Sequence, residues 1–204
     1  MARHLVESNL ATLRGDAAAL QESVTLYYDA LRDVAVPGPQ REANMDALLL
    51  HMWDESLAEH SAVIDAAADL HPMLWPILHA ALARSDRPDQ LRVALAHHPL
   101  PDLAGLWSST WTHCWEAEAA AAAGDAARAA RVLPLLRPLA GRMCVAGIAI
   151  AQGPVDGYLA LAAATAGERD EARRHGDVAE RLARDWGLDR YLDWLRERRA
   201  DLGF

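Results

Sequence analysis

The segment "LWSSTWTHCWE" carries the side chains of this chain that are best suited to bind a ligand. Trp107, Trp111 and Trp115 recur at every fourth position, which on a helix aligns them along one side. Such a stripe either packs between helices or forms a wall of a ligand groove, and the spacing alone leaves both interpretations open. His113 and Cys114 are neighbours whose side chains point in different directions on a helix. Their spacing therefore does not indicate a thiol activated by an imidazole.

The nine histidines raise the question of a metal site. His97 and His98 are adjacent and diverge by about 100° on a helix, so they cannot share one ion without breaking it. His51, Glu55 and Glu59 do share a face at four-residue spacing, but they span a predicted helix boundary, and HExxH does not occur. No metal site is expected.

Composition excludes several classes of enzyme. All 20 basic residues besides histidine are Arg, so a Schiff-base Lys and a P-loop Lys are both ruled out. GxSxG is absent, and Ser108 and Ser109 lie near His113 only along the chain. We therefore predict no catalytic residue and no cofactor.

Charge and cysteine usage bear on partners and compartment. A net charge of −9 opposes binding to a phosphate backbone, so no direct nucleic-acid partner is expected. Cys114 and Cys144 lack CxxC spacing and are interpreted as small buried hydrophobes rather than a disulfide, which favours a cytoplasmic location. The N-terminal stretch lacks an apolar signal core, and polar residues and a proline interrupt the one long apolar run, so no membrane span is expected.

Helical periodicity predicts an all-α chain forming a single domain over residues 1–204. The predicted helices are 2–14, 16–34, 41–53, 55–69, 73–84, 88–97, 103–123, 125–139, 154–166, 168–186 and 188–200. No strand is expected, because the apolar stretch "CVAGIAIA" has no evident partner strand elsewhere.

Three turns share one pattern of a glycine followed by an acidic residue, at positions 15–16, 124–125 and 167–168. Each glycine is predicted to end a helix with a left-handed backbone, and each acid to begin the next helix at its positive end. The second and third of these turns lie 43 residues apart, and this spacing is typical of solenoids built from helix pairs.

The segments "AAAAAGDAARAARVLPLLRPLAGR", "GPVDGYLALAAATAGERDEARRH" and "DWGLDRYLDWLRERR" carry a family resemblance. From "LLLHMWDESLAEH" to its end, the chain resembles the tetratricopeptide-like helical region of large ATPase-type bacterial transcriptional regulators of the LuxR and antibiotic-regulator classes, and of similar adenylate cyclases. The resemblance implies a right-handed α-solenoid of about five helix pairs with a C-terminal capping helix. It does not extend to the sensor, nucleotide-binding or DNA-binding domains of those regulators.

In such arrays the first helix of each pair lines a concave groove, which the resemblance implies is the binding surface. With Gly124 as the hinge, Trp111, Cys114 and Glu118 are directed inward, whereas a register shifted by one residue favours His113. The same register in the preceding pairs gives three further groove residues: His51, Trp75 and His79. Asp156 and Tyr158 are secondary candidates beside the irregular segment before their helix.

Two functions remain open at this stage. The first is a non-enzymatic binding or regulatory module with a protein or peptide partner, in bacterial transcriptional control. The second is a small-molecule-binding protein or natural-product biosynthetic enzyme with a Trp- and His-lined groove. An open groove favours the first function and a sealed apolar cavity favours the second.

Overall fold

The computed structural model describes residues 2–32, 52–53, 75–85, 87–100, 109–146 and 150–204. Its helices are α1 Ala2–Arg14, α2 Ala17–Arg32, α3 Trp75–Arg84, α4 Pro88–His97, α5 Ser109–Ala123, α6 Ala126–Leu136, α7 Val155–Thr165, α8 Arg169–Trp186 and α9 Asp189–Leu202, with a 3₁₀ turn at Arg137–Leu139. The mainly helical content confirms the predicted all-α class. The helices predicted over 41–53 and 55–69 lie outside the described residues, apart from a turn at 52–53.

A short β-hairpin interrupts the helices, and the expectation that the chain has no strand was wrong. Strand β1, Met143–Ala146, pairs antiparallel with β2, Ile150–Pro154. The stretch "CVAGIAIA" therefore folds back on itself. Its first half pairs with its last residues, with Ala146 opposite Ile150. An isolated hairpin is only marginally stable, so packing against helices must support this one.

Helix packing forms two neighbouring layers. Helices α3, α5 and α7 lie side by side, and α4, α6 and α8 each pack against the helix that precedes them. Alanine makes this close packing possible, since Ala117, Ala119, Ala160 and Ala162 are fully buried. Helix α9 follows α8 in the chain and contacts α7, while α1 packs on both β2 and α9. None of the described helices has the length and apolar character needed to cross a bilayer.

The three predicted glycine turns are confirmed. Gly15, Gly124 and Gly167 have φ values of +76°, +69° and +88°, in the left-handed region that glycine adopts without steric cost. At the second turn the Asp125 amide donates to the Ala120 carbonyl at 2.8 Å, as in a Schellman motif. Each turn therefore ends one helix and reverses the chain.

The acids after these glycines act in two different ways. Asp16 and Asp125 each accept a hydrogen bond from the backbone amide three residues later, at 3.0 and 2.9 Å. These are side-chain N-caps. Glu168 makes no capping hydrogen bond, so it contributes only its charge near the start of α8.

We expect Gly124→Val to lower the free energy of unfolding by about 1 to 3 kcal/mol. A Cβ at this position would meet no atom within 4 Å, so the loss comes from the positive φ alone. Gly124→Asn is the matched control, because Asn tolerates the left-handed region and should cost less. Thermal melts of both variants test this, and a valine variant as stable as wild type would contradict the assigned role of Gly124.

Candidate functional site

Three successive helices of one layer are joined by a buried polar cluster of Arg84, Glu118 and Tyr158. Arg84 of α3 binds Glu118 of α5 with two parallel hydrogen bonds, of 2.7 and 2.8 Å, and also lies 3.4 Å from the Tyr158 hydroxyl of α7. Tyr158 in turn donates to the Gln152 carbonyl of β2 at 2.8 Å. The structure therefore brings together two of the sequence-predicted residues, Glu118 and Tyr158, around an arginine that the sequence did not single out.

Arg84 is held in place by several further contacts. Its Nη1 donates to the Met52 carbonyl at 3.0 Å, and its guanidinium carbon lies 4.0 Å from the centroid of the Trp53 ring. Burial lowers the pKa of Arg84, but the contact with Glu118 outweighs this effect and leaves the pKa above its ordinary value. Burial also raises the pKa of Tyr158 well above its usual value, so this hydroxyl stays neutral. These contacts hold the charged side chains of Arg84 and Glu118 in fixed positions.

Beside this polar cluster, three cavities follow one another along α9. The central cavity, of about 390 Å³, has Met52, Trp53 and Arg84 on one side and residues of α9 on the other, namely Arg190, Asp193, Trp194, Glu197 and Arg198. A second cavity of about 160 Å³ shares Arg198 with it and reaches Glu118 and Leu202. A third, of about 90 Å³, shares Trp53 and Arg190 and reaches Gly15. We call this row of cavities the α9 groove.

The charged groups along the α9 groove are of both signs. Arg198 pairs with Asp201 at 3.2 Å, and Asp193 with Arg196 at 3.4 Å. Within the described part of the chain, the side chains of Arg190 and Glu197 make no hydrogen bond or ion pair. These two groups remain available to a ligand with complementary charges.

His79 lies in a second buried network, away from the α9 groove. It is fully buried, with Nδ1 2.7 Å from a Glu116 carboxylate oxygen and Nε2 3.2 Å from Nδ1 of His98. Arg128 donates to the other oxygen of Glu116 and to the carbonyls of Leu95 and His98, the last two at 3.0 and 2.5 Å. The carboxylate can only accept, so Nδ1 of His79 donates to it, and the second hydrogen bond joins His79 Nε2 to His98 Nδ1. The network connects α3, α5, α6 and the end of α4.

Trp75 belongs to this same network. Its ring stacks on His98, with centroids 4.2 Å apart and planes 9° from parallel. Burial, followed by the charge of His79, lowers the pKa of His98 below its ordinary value. His98 is therefore mostly neutral at pH 7.

The middle of α5 faces the core rather than the α9 groove. Trp111 is 3% exposed and packs edge-on against Trp115, with ring centroids 4.6 Å apart. His113 and Cys114 are also buried, and burial lowers the pKa of His113. None of the three lines the groove cavities. His51 lies outside the described residues.

Asp156 stabilises the turn that leads into the hairpin. One carboxylate oxygen accepts the Gly141 amide at 2.5 Å, and the other lies 2.8 Å from Nδ1 of His175 in α8. The side chain is 1% exposed and does not reach the α9 groove. It links the start of α7 to two neighbouring segments.

Sequence reasoning missed Arg84, Trp53, Trp194 and Arg190. Arg84 ends a helix, where a basic residue is expected simply to complement the helix dipole. Its partner Glu118 lies 34 residues away, so only the packing of α3 on α5 reveals the pair. Trp194 gave a usable signal, since a large aromatic on a charged helix marks the face that is buried.

Comparisons with family models, curated proteins and solved structures found no match to this chain. Among the described residues, no group of three or more His, Cys, Asp or Glu side chains could hold a metal ion.

Proposed function

We propose that this protein is a non-enzymatic regulatory binding module whose α9 groove takes a short extended peptide segment of a protein partner. In this proposal the helix pairs form a right-handed tetratricopeptide-like array, α9 is its capping helix and the groove is its concave face. The proposal rests on one observation, namely the three cavities that share residues along α9.

The length of the groove suits a peptide. From Arg190 to Leu202 an α-helix rises about 18 Å at 1.5 Å per residue. An extended chain covers roughly 3.3 Å per residue, so a segment of about five or six residues would span the groove. A compact small molecule would fill only the central cavity.

The chemistry of the groove favours binding over catalysis. Arg84, Glu118 and Tyr158 are all engaged in hydrogen bonds with one another or with the backbone, which leaves no activated nucleophile or base there. Trp53 and Trp194 provide aromatic surface, with ring centroids 5.5 Å apart in an edge-on arrangement. Rigid aromatic walls beside unpaired charges are typical of peptide-recognition sites.

A peptide-display selection tests this proposal. Random peptides selected on the wild-type protein should bind the Arg190→Ala, Glu197→Ala double variant at least tenfold more weakly. This corresponds to a loss of about 1.4 kcal/mol of binding free energy. Fluorescence anisotropy of labelled peptides gives the Kd values. The loss is expected because these side chains are the unpaired charges of the groove.

The control is Arg181→Ala, Asp185→Ala, which removes the same kinds of charge from exposed positions of α8. This variant should bind the selected peptides as wild type does. Equal binding by the groove variant and the control would show that the peptides dock elsewhere.

A second candidate is a small-molecule-binding protein, which the central cavity favours because its volume of about 390 Å³ falls in the range of ligand pockets. Truncation of the selected peptides separates the two functions. Loss of affinity with each residue removed supports the peptide groove, whereas full affinity in a dipeptide supports the small-molecule site.

A further inference from the structure

The two unpaired charges of the α9 groove lie on one side of the helix. Arg190 and Glu197 both line the central cavity, and neither forms a hydrogen bond or ion pair within the described structure. They are seven residues apart, which is nearly two helical turns, so they leave α9 in almost the same direction with about 10.5 Å of helix axis between them. The groove therefore presents a positive and a negative charge at a separation that the helix sets.

The other charged groups of the central cavity already have partners. Arg84 binds Glu118 through two hydrogen bonds, of 2.7 and 2.8 Å. Asp193 and Arg198 pair with residues of their own helix, at 3.4 and 3.2 Å. A ligand would have to break these contacts to use those charges, whereas the two unpaired groups can bind opposite charges directly.

The separation of the unpaired charges distinguishes between the conformations of an extended peptide. In a β-strand, side chains on one face are two or four residues apart, which is about 6.6 or 13 Å. In a polyproline II helix, side chains three residues apart share a face at about 9.3 Å. The polyproline II spacing comes nearest to the roughly 10.5 Å between the two charges along α9.

The wall between the two charges is aromatic and rigid. Trp194 lies one turn from each charged residue on α9, and Trp53 lines the same cavity. Their exposed fractions of only 8% and 7% show that packing holds both rings in place. Aromatic grooves bind polyproline II segments well, because such segments lose little conformational entropy on binding. Proline rings between the charges of a peptide would therefore suit this wall.

We propose that the partner of the α9 groove is a polyproline II segment with an acidic and a basic residue three positions apart and prolines between them. The acidic side chain pairs with Arg190 and the basic one with Glu197. Arg190 is half-buried and Glu197 is exposed, so these pairs determine which segment binds more than how tightly it binds. This inference rests on the proposed peptide-binding function and adds the charge pattern and conformation of the peptide.

A pair of synthetic peptides of equal composition tests the spacing. Pro-Asp-Pro-Pro-Arg-Pro, with blocked ends and a fluorescent label, spans about 18 Å as a polyproline II helix, which is the length of the groove. In Pro-Asp-Pro-Arg-Pro-Pro the charges are two residues apart and no longer share a face. Fluorescence anisotropy should show at least tenfold tighter binding of the first peptide to the wild-type protein. Equal affinity for the two peptides would overturn the proposal.

Reversal of one groove charge tests the pairing. Arg190→Glu should bind Pro-Asp-Pro-Pro-Arg-Pro at least tenfold more weakly than wild type and should prefer Pro-Arg-Pro-Pro-Arg-Pro, because both unpaired charges are then negative. Glu197→Arg should instead prefer Pro-Asp-Pro-Pro-Asp-Pro. Arg181→Glu, at an exposed position of α8, is the matched control and should keep the wild-type preference. Loss of binding without the exchanged preference in both groove variants would contradict the assigned pairs.

The peptide-display selection separates failure of this inference from failure of the proposed function. If the selected peptides require Arg190 and Glu197 but carry no acid and base three positions apart, the groove binds peptides of another pattern and the inference is wrong. If neither the selected peptides nor Pro-Asp-Pro-Pro-Arg-Pro requires these two side chains, the proposed function is wrong as well.

Discussion

Arg128→Met is expected to lower the free energy of unfolding by about 3 to 5 kcal/mol, because it leaves a buried carboxylate without its cation. Arg128 is 2% exposed and Glu116 is fully buried, so water cannot replace the lost hydrogen bonds. The same change removes the donor to the carbonyls of Leu95 and His98. Chemical denaturation monitored by circular dichroism measures the loss.

Arg131→Met is the matched control, since it makes the same substitution at an exposed position of the same helix. It should leave the unfolding midpoint close to that of wild type. A further variant, Arg128→Met with Glu116→Gln, removes both charges and should recover part of the stability. If Arg128→Met is as stable as Arg131→Met, the ion pair does not stabilise the fold as the structure indicates.

The helices and their turns could be predicted because their causes are local. Glycine at positions 15, 124 and 167 permits a left-handed backbone that other residues resist. The sequence therefore marks the ends of α1, α5 and α7 directly. The hairpin could not be predicted in the same way. Its strands are short, and its stability comes from distant groups such as Tyr191 and Trp53, which contact it only after folding.

The candidate site was predicted only in part, for a similar reason. Glu118 was placed in the groove from helical register, and Tyr158 was only a secondary candidate beside the irregular segment. The register does not show which arginine neutralises Glu118. His79 was assigned to the same surface, yet its five-residue separation from Arg84 turns the two side chains about 140° apart on α3. One helix therefore contributes to two separate polar networks.

Trp111→Ala is expected to lower the free energy of unfolding by about 3 to 5 kcal/mol, because it leaves a cavity in the core. The Trp111 ring is 3% exposed and packs against Trp115, and no cavity of the α9 groove reaches it. Trp111→Phe is the matched control. It keeps an aromatic ring and removes an indole N–H that has no hydrogen-bond partner within the described structure, so it should cost much less.

Binding measured beside these melts decides whether the tryptophan stripe belongs to the core or to the partner surface. Under conditions where Trp111→Ala remains folded, peptides selected on the wild type should bind it with an unchanged Kd, because Trp111 lies outside the α9 groove. The Arg190→Ala, Glu197→Ala variant should show the opposite result, with weaker binding and a nearly unchanged Tm, because the affected side chains are unpaired. A Trp111→Ala protein that melts like wild type and no longer binds the peptides would instead place the partner on α5, and would exclude the α9 groove as the working site.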